Sequence, residues 1–181
     1  MTAAPSTRER LVAAASAEFG ERGFGGTDSN RIARRAGFAP QTFYRWFKDK
    51  TAIFLAVYRA WEEAEYDAVG ALLAGGGDDA AIAAAVVAHH RAYLVFRRSL
   101  RALSVGDDEV RRARAETRLR QVEQVRLWAG AAAPSREVIA VNLFEMERLA
   151  DAIAEGELVD MGLSDTATLE RLARAIGGCR G

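Results

Sequence analysis

Apolar residues in this 181-residue chain recur at helical spacing from end to end, and nowhere do they alternate in the period of two that marks a strand. Leu11, Val12, Ala15 and Phe19 share one face, and farther on Ile53, Phe54, Val57, Tyr58, Trp61, Ala64, Ala68 and Leu72 form one broad stripe. Breakers are few, with proline only at Pro5, Pro40 and Pro134, and frequent alanine and arginine favour helix nearly everywhere. An all-α fold follows, in a chain long enough to bury roughly 70% of its unfolded surface. No apolar run approaches the ~18 residues of a membrane span, and the N-terminus lacks a signal-peptide pattern. The lone cysteine, Cys179, cannot form an internal disulfide, which points to a reducing cytoplasm.

Punctuation divides this helical material. "STRE" from Ser6 reads as a capping box that opens the first helix, and "ERGFGG" stops it. Thr27 is read as the N-cap of a short second helix through Ala36, burying Ile32 and Ala33; Gly37 makes a tight turn. A third short helix runs from Pro40 to about Phe47. Asp49 caps a fourth, long helix over about 50–74, and "AGGGDD" at 74–79 is the clearest break. Helices are expected beyond it over about 79–101, 107–130, 135–156 and 165–177. The domain division is an N-terminal three-helix unit, 1–50, and a larger helical unit, 51–181, joined by the long helix.

Two short helices joined by "AGFA" over a third are the helix-turn-helix arrangement. At about 100° per residue, Phe43 and Phe47 point to the apolar back of its second helix, and Gln41 and Arg45 point almost opposite. Thr42, Tyr44 and Trp46 fall on the flanks. A DNA major groove admits one such helix, whose glutamine, arginine and threonine can read base edges. A tyrosine hydroxyl, a tryptophan N–H and lysines suit phosphate oxygens. The competing reading makes Tyr44 and Trp46 ordinary packing aromatics and Arg45 a solvated charge. The charge distribution leans toward the first. Residues 1–50 hold nine Lys/Arg against five Asp/Glu, a net +4, and the rest of this overall neutral chain is −4.

"RERLVAAASAEFGERGFGGTDSNRIARRAGFAPQTFYRWFKDKTAIFLAVY", residues 8–58, closely resembles the N-terminal domain of the tetracycline-repressor (TetR) family. The likeness is carried by Ala14, Ala15, Phe19, Gly23, Thr27, Ile32, Ala33, Ala36, Gly37, Phe43, Tyr44, Trp46, Phe47 and Lys50 at fixed spacings. It implies that Gln41, Thr42 and Arg45 face bases and that Thr27, Tyr44, Trp46 and Lys50 hold phosphates, with Arg34 or Arg35 on a flanking phosphate. Gln41 stands where a glycine is common, Trp46 where histidine is more frequent, and Ser29 where a small apolar residue is usual.

The resemblance further implies a homodimer on palindromic double-stranded operator DNA, acting as a ligand-responsive transcriptional regulator, a repressor released by a small-molecule effector. It implies no cofactor. The expected dimer seam takes Ile139, Leu143, Met146, Ala150 and Ile153 with Leu169, Leu172, Ala173 and Ile176, although stripes of this kind can equally pack within one subunit. Candidate effector-lining residues are Trp61, Tyr66, His89, Tyr93, Phe96, Trp128 and Phe144, which offer apolar surface, most with a polar handle. His89 and His90, adjacent on a helix, point about 100° apart and so cannot easily share a metal, and no Cys/His cluster supports one. The run 111–121 reads as a solvated, salt-bridged face.

Two other functions compete. One is a DNA-binding regulator controlled by a protein partner, which a filled, cavity-free body would favour. The other is an enzyme with an incidental helix-turn-helix, for which the sequence offers no nucleophile–base pair, phosphate-cradling loop or metal-ligand spacing.

Overall fold

Side-chain caps fix where most helices of the computed structural model begin; it describes residues 4–180. Helix α1, Thr7–Arg22, opens on the expected capping box: Ser6 Oγ accepts from the Glu9 N–H and the Ser6 N–H donates to Glu9 Oε2 at 2.7 Å. It ends at Gly23, whose φ of 68° is a conformation glycine adopts freely. Helix α2 is Ser29–Arg35, and its N-cap is Asp28 rather than Thr27: Asp28 Oδ1 accepts from the Arg31 N–H at 2.8 Å. Thr27 is buried one residue earlier, its hydroxyl donating to Glu18 Oε2 at 2.9 Å.

Helix α3, Pro40–Tyr44, is shorter than the reading to Phe47; Arg45–Phe47 follow as a turn in which both the Trp46 and Phe47 N–H groups return to the Phe43 carbonyl. Helix α4, Lys50–Ala74, is capped by Asp49, which accepts from the Ala52 N–H at 2.7 Å. The helix expected over 79–101 is two helices, α5 (Asp79–Ala92) and α6 (Leu94–Gly106), parted at Tyr93. Then come α7 (Asp108–Ala129), α8 (Arg136–Glu155, capped by Ser135), a four-residue α9 (Glu157–Asp160) that the sequence reading lacks, and α10 (Thr166–Arg180). No strand occurs among the described residues.

The chain forms two compact units. The first takes the residues up to Ala64 together with Val95–Arg111; the second takes Glu65–Leu94 and the chain from Arg112 onward. Rings dominate the first unit's interior. Phe54 meets Phe19 edge-on at 5.1 Å between centroids and Phe96 at 4.8 Å, and Leu11, Ile32, Phe43 and Ile53 are sealed from solvent.

In the second unit α5, α8 and α10 pack on one another through Ile82, Ala83, Val87, Ala150, Ile153, Leu172 and Ile176. Met146, Leu169 and Ala173 lie partly buried against that core, while Ile139 and Leu143 close on Val122 of α7. Most of the side chains nominated for a dimer seam thus pack within the chain, with Met146, Leu169 and Ala173 only partly covered. The apolar side chains that α8 leaves in solvent are Val138, Val141 and Phe144.

Candidate nucleic-acid interface

The corner between α2 and α3 is built by backbone and by one side chain from α1. After α2, the Phe38 N–H returns to the Ala33 carbonyl at 2.9 Å and the Gly37 N–H to the Arg34 carbonyl at 3.0 Å. Gly37 has a φ of 79°, and a Cβ there would lie 3.1 Å from Arg10 Nη2. That guanidinium is occupied: it donates to the Ala36 carbonyl at 2.8 Å and lies over the Phe38 ring. A positive φ, a close approach and an arginine brace together hold the turn that aims α3.

From this corner α3 and the turn that follows it present two unlike sides. Phe43 and Phe47 are buried, their rings 5.8 Å apart, and Arg8 lies over the Phe47 ring. Gln41 and Arg45 are exposed and Thr42 is half-buried. Tyr44 and Trp46 are 58% and 49% exposed, large amphipathic rings left in water.

Of the remaining nominated residues, Thr27, Arg35 and Lys50 are held by partners within the chain. Thr27 spends its hydroxyl on the buried carboxylate of Glu18. Arg35 donates to Glu18 at 3.0 Å and to both oxygens of Glu21, and these bonds raise the guanidinium pKa and hold the Glu21 carboxyl below its ordinary range. Lys50 Nζ donates to the Phe24 and Thr27 carbonyls at 2.7 and 3.0 Å and sits over the Phe24 ring. Burial pushes the Lys50 ammonium pKa down, against the pull of Asp28. Lys48 pairs with Glu109 at 3.0 Å, which raises its pKa. Arg34 is exposed.

Sequence reasoning passed over Glu18 and Arg10. Glu18 had a readable signal: it lies seven residues after Leu11 and one before Phe19, an acidic residue on the apolar face of α1. Arg10 had none, because its partner, the Ala36 carbonyl, is far along the chain.

Of the effector candidates, Trp61 and Phe96 belong to the first unit, both buried, with Arg97 over the Trp61 ring. The others are in the second unit. Tyr66 and Trp128 stack at 5.0 Å, the His89 and Tyr93 rings are 5.1 Å apart, and Phe144 is exposed with Arg118 over its ring. The buried histidine is His90: Nδ1 lies 2.9 Å from Asp151 Oδ1 and Nε2 lies 3.3 Å from Glu65 Oε1. No described helix is long and apolar enough to cross a membrane.

An all-helical chain whose head carries a braced helix-turn-helix with an apolar back and a hydrogen-bonding front has the architecture found in DNA-binding regulators. Residues 11–57 match the pattern of the bacterial regulatory proteins of the tetR family. Over 48 residues the chain is 44% identical to the uncharacterized HTH-type transcriptional regulator YdgC of Bacillus subtilis (strain 168), a match covering 26% of this chain and 25% of that protein. The whole chain is similar in fold to the fatty acid degradation regulator FadR from Bacillus halodurans, with a TM-score of 0.61 at 14% identity over 96% of this chain and 95% of that one. A candidate TetR-family transcriptional regulator from Rhodococcus sp. superposes with a TM-score of 0.69 at 18% identity, over 97% of this chain and 98% of that one. At such identities the likeness is one of fold. The family's pattern is thus carried by residues 11–57, and the rest of the chain shares the helical fold of these regulators.

Proposed function

We propose that this regulator is a repressor that binds a palindromic operator as a homodimer and is released by a small-molecule effector. The observation that carries the reading is the two-sidedness of α3 and the turn after it: Phe43 and Phe47 are buried while Gln41, Tyr44, Arg45 and Trp46 are exposed. Gln41, Thr42 and Arg45 read base edges in the major groove; Tyr44, Trp46 and an arginine of α2 contact phosphates on either side. Thr27 and Lys50 tie down the α1–α2 loop, one through Glu18 and the other through the Phe24 and Thr27 carbonyls, and support the phosphate contacts rather than make them.

Two copies pair along α8 and α10. The nominated seam residues form the inner wall of those helices, and Val138, Val141 and Phe144 supply outward apolar surface. The effector is taken up in the second unit, where Tyr66, His89, Tyr93 and Trp128 combine ring surface with polar tips. Ligand and DNA then favour different arrangements of the dimer, with a coupling of about 1–3 kcal/mol. The protein works in the cytoplasm.

Fluorescence-anisotropy titration against duplexes from upstream of its own and neighbouring genes tests the reading. Saturable binding of two chains per palindrome is expected, steeply weakened by salt. Arg45→Ala should cost about 1–3 kcal/mol, mainly at one position of each half-site. Binding that is weak and indifferent to sequence on every fragment would overturn the operator-specific reading.

A further inference from the structure

Helix α2 carries three arginines, Arg31, Arg34 and Arg35, and the fold treats them differently. Ile32 and Ala33 define its buried side. At about 100° per residue, Arg31 and Arg34 each point about 150° away from the centre of that side, and Arg35 about 110° away, toward α1. From there Arg35 reaches Glu18, which is 4% exposed, and Glu21. Its charge is answered twice. Arg31 and Arg34 stand exposed, and the carboxylate nearest their end of the helix, Asp28, is already bonded to the Arg31 backbone N–H.

We propose that Arg31 and Arg34 together grip the DNA phosphate backbone and that Arg35 is a structural tie between α2 and α1. The inference rests on the DNA-binding reading above. In a helix-turn-helix the first helix crosses the phosphate backbone, so the cations on its outward side are the ones that meet phosphate. Residues three apart on a helix are surface neighbours, which sets the two guanidinium groups side by side as charge-assisted donors. Arg35 could join them only by leaving Glu18, and a buried carboxylate deprived of its cation is strongly penalised. Arg31 and Arg34 carry no such penalty.

The test uses the full chain and a labelled generic duplex, with anisotropy titrations between about 50 and 200 mM salt and thermal melts of the same samples. Arg31→Gln and Arg34→Gln should each bind more weakly on all sequences and lose about threefold less affinity per removed contact over that salt range, with Tm unchanged. Arg35→Gln should keep the parent's salt dependence and melt lower. Should Arg35→Gln fail to fold, Arg35→Lys, which can retain a bond to Glu18, takes its place, and the Arg31 and Arg34 variants still decide. A parental salt dependence in Arg31→Gln, or a shallower one in the Arg35 variant at unchanged Tm, overturns the inference while leaving DNA binding intact. A parent chain that binds no duplex even at the lowest salt overturns DNA binding itself, and this inference with it.

Discussion

The two units are held together by different materials. Inside the first, Phe54 fits ring against ring with Phe19 and Phe96, Phe43 meets Phe47, and the few buried charged groups, Glu18 and Arg97, lie against Arg35 and the Trp61 ring. Inside the second, the packing is aliphatic, yet an imidazole and a carboxylate are sunk among it, His90 at 3% and Asp151 at 2% exposed. Rings interlocked in a dense interior tolerate loss of volume poorly. A buried polar pair adds little net stability but punishes any arrangement that separates its members. Ring fit is the larger part of the first unit's interior, and a polar pair within aliphatic packing marks the second.

The widest breach in that contrast would come from Phe43→Ala, which empties a fully sealed ring site and should cost about 4 kcal/mol in urea unfolding. A cost below about 1 kcal/mol would mean that ring fit is not what holds the head. Asp151→Ala, which takes a carboxylate from buried His90, should cost about 3 kcal/mol, with part recovered in Asp151→Asn because an oxygen still faces Nδ1. An alanine variant as stable as the parent would remove polar matching from the account.

The smallest effect is one of acid. Glu9 is held below its ordinary value of 4.5 first by the Ser6 backbone N–H, Glu21 below the same value by Arg35, and Asp28 below 3.8 by the Arg31 backbone N–H. Because these pKa values are lower in the folded chain than in the unfolded one, their contribution is complete above the ordinary values and is lost as pH falls through the folded ones. Melts of the parent and Glu21→Gln should therefore differ at about pH 7 and converge toward about pH 3. A gap of constant size would show that ionisation of Glu21 contributes nothing.

What could be read from the sequence was what is decided within one turn of helix. The Ser6–Glu9 box, Pro40 at the first turn of α3 and the Asp49 cap all involve groups three residues apart or fewer, and all stand in the structure. The reading slipped where a distant group intervened. Thr27 and Asp28 are both good caps by type; the helix opens on Asp28, and the Thr27 hydroxyl goes instead to Glu18 on another helix. The break at Tyr93 has no glycine or proline beside it, so nothing local announces it. The stripes on α8 and α10 report that a face is covered but not by what. His89 and His90 are adjacent letters with unlike fates, one beside the Tyr93 ring and one between two carboxylates.

Five residues of α3 also set a limit that can be counted as information. A helix of that length rises about 7.5 Å, and bases stack about 3.4 Å apart, so it lies along two or three base pairs. Even with every letter distinguished, two or three positions recur by chance roughly once in sixteen to sixty-four base pairs. An address that common designates nothing in a bacterial chromosome. A usable one must be compounded from a second reading head at a set distance and from the ease with which the intervening DNA bends, so small changes in head spacing would erase the address without touching a single base contact.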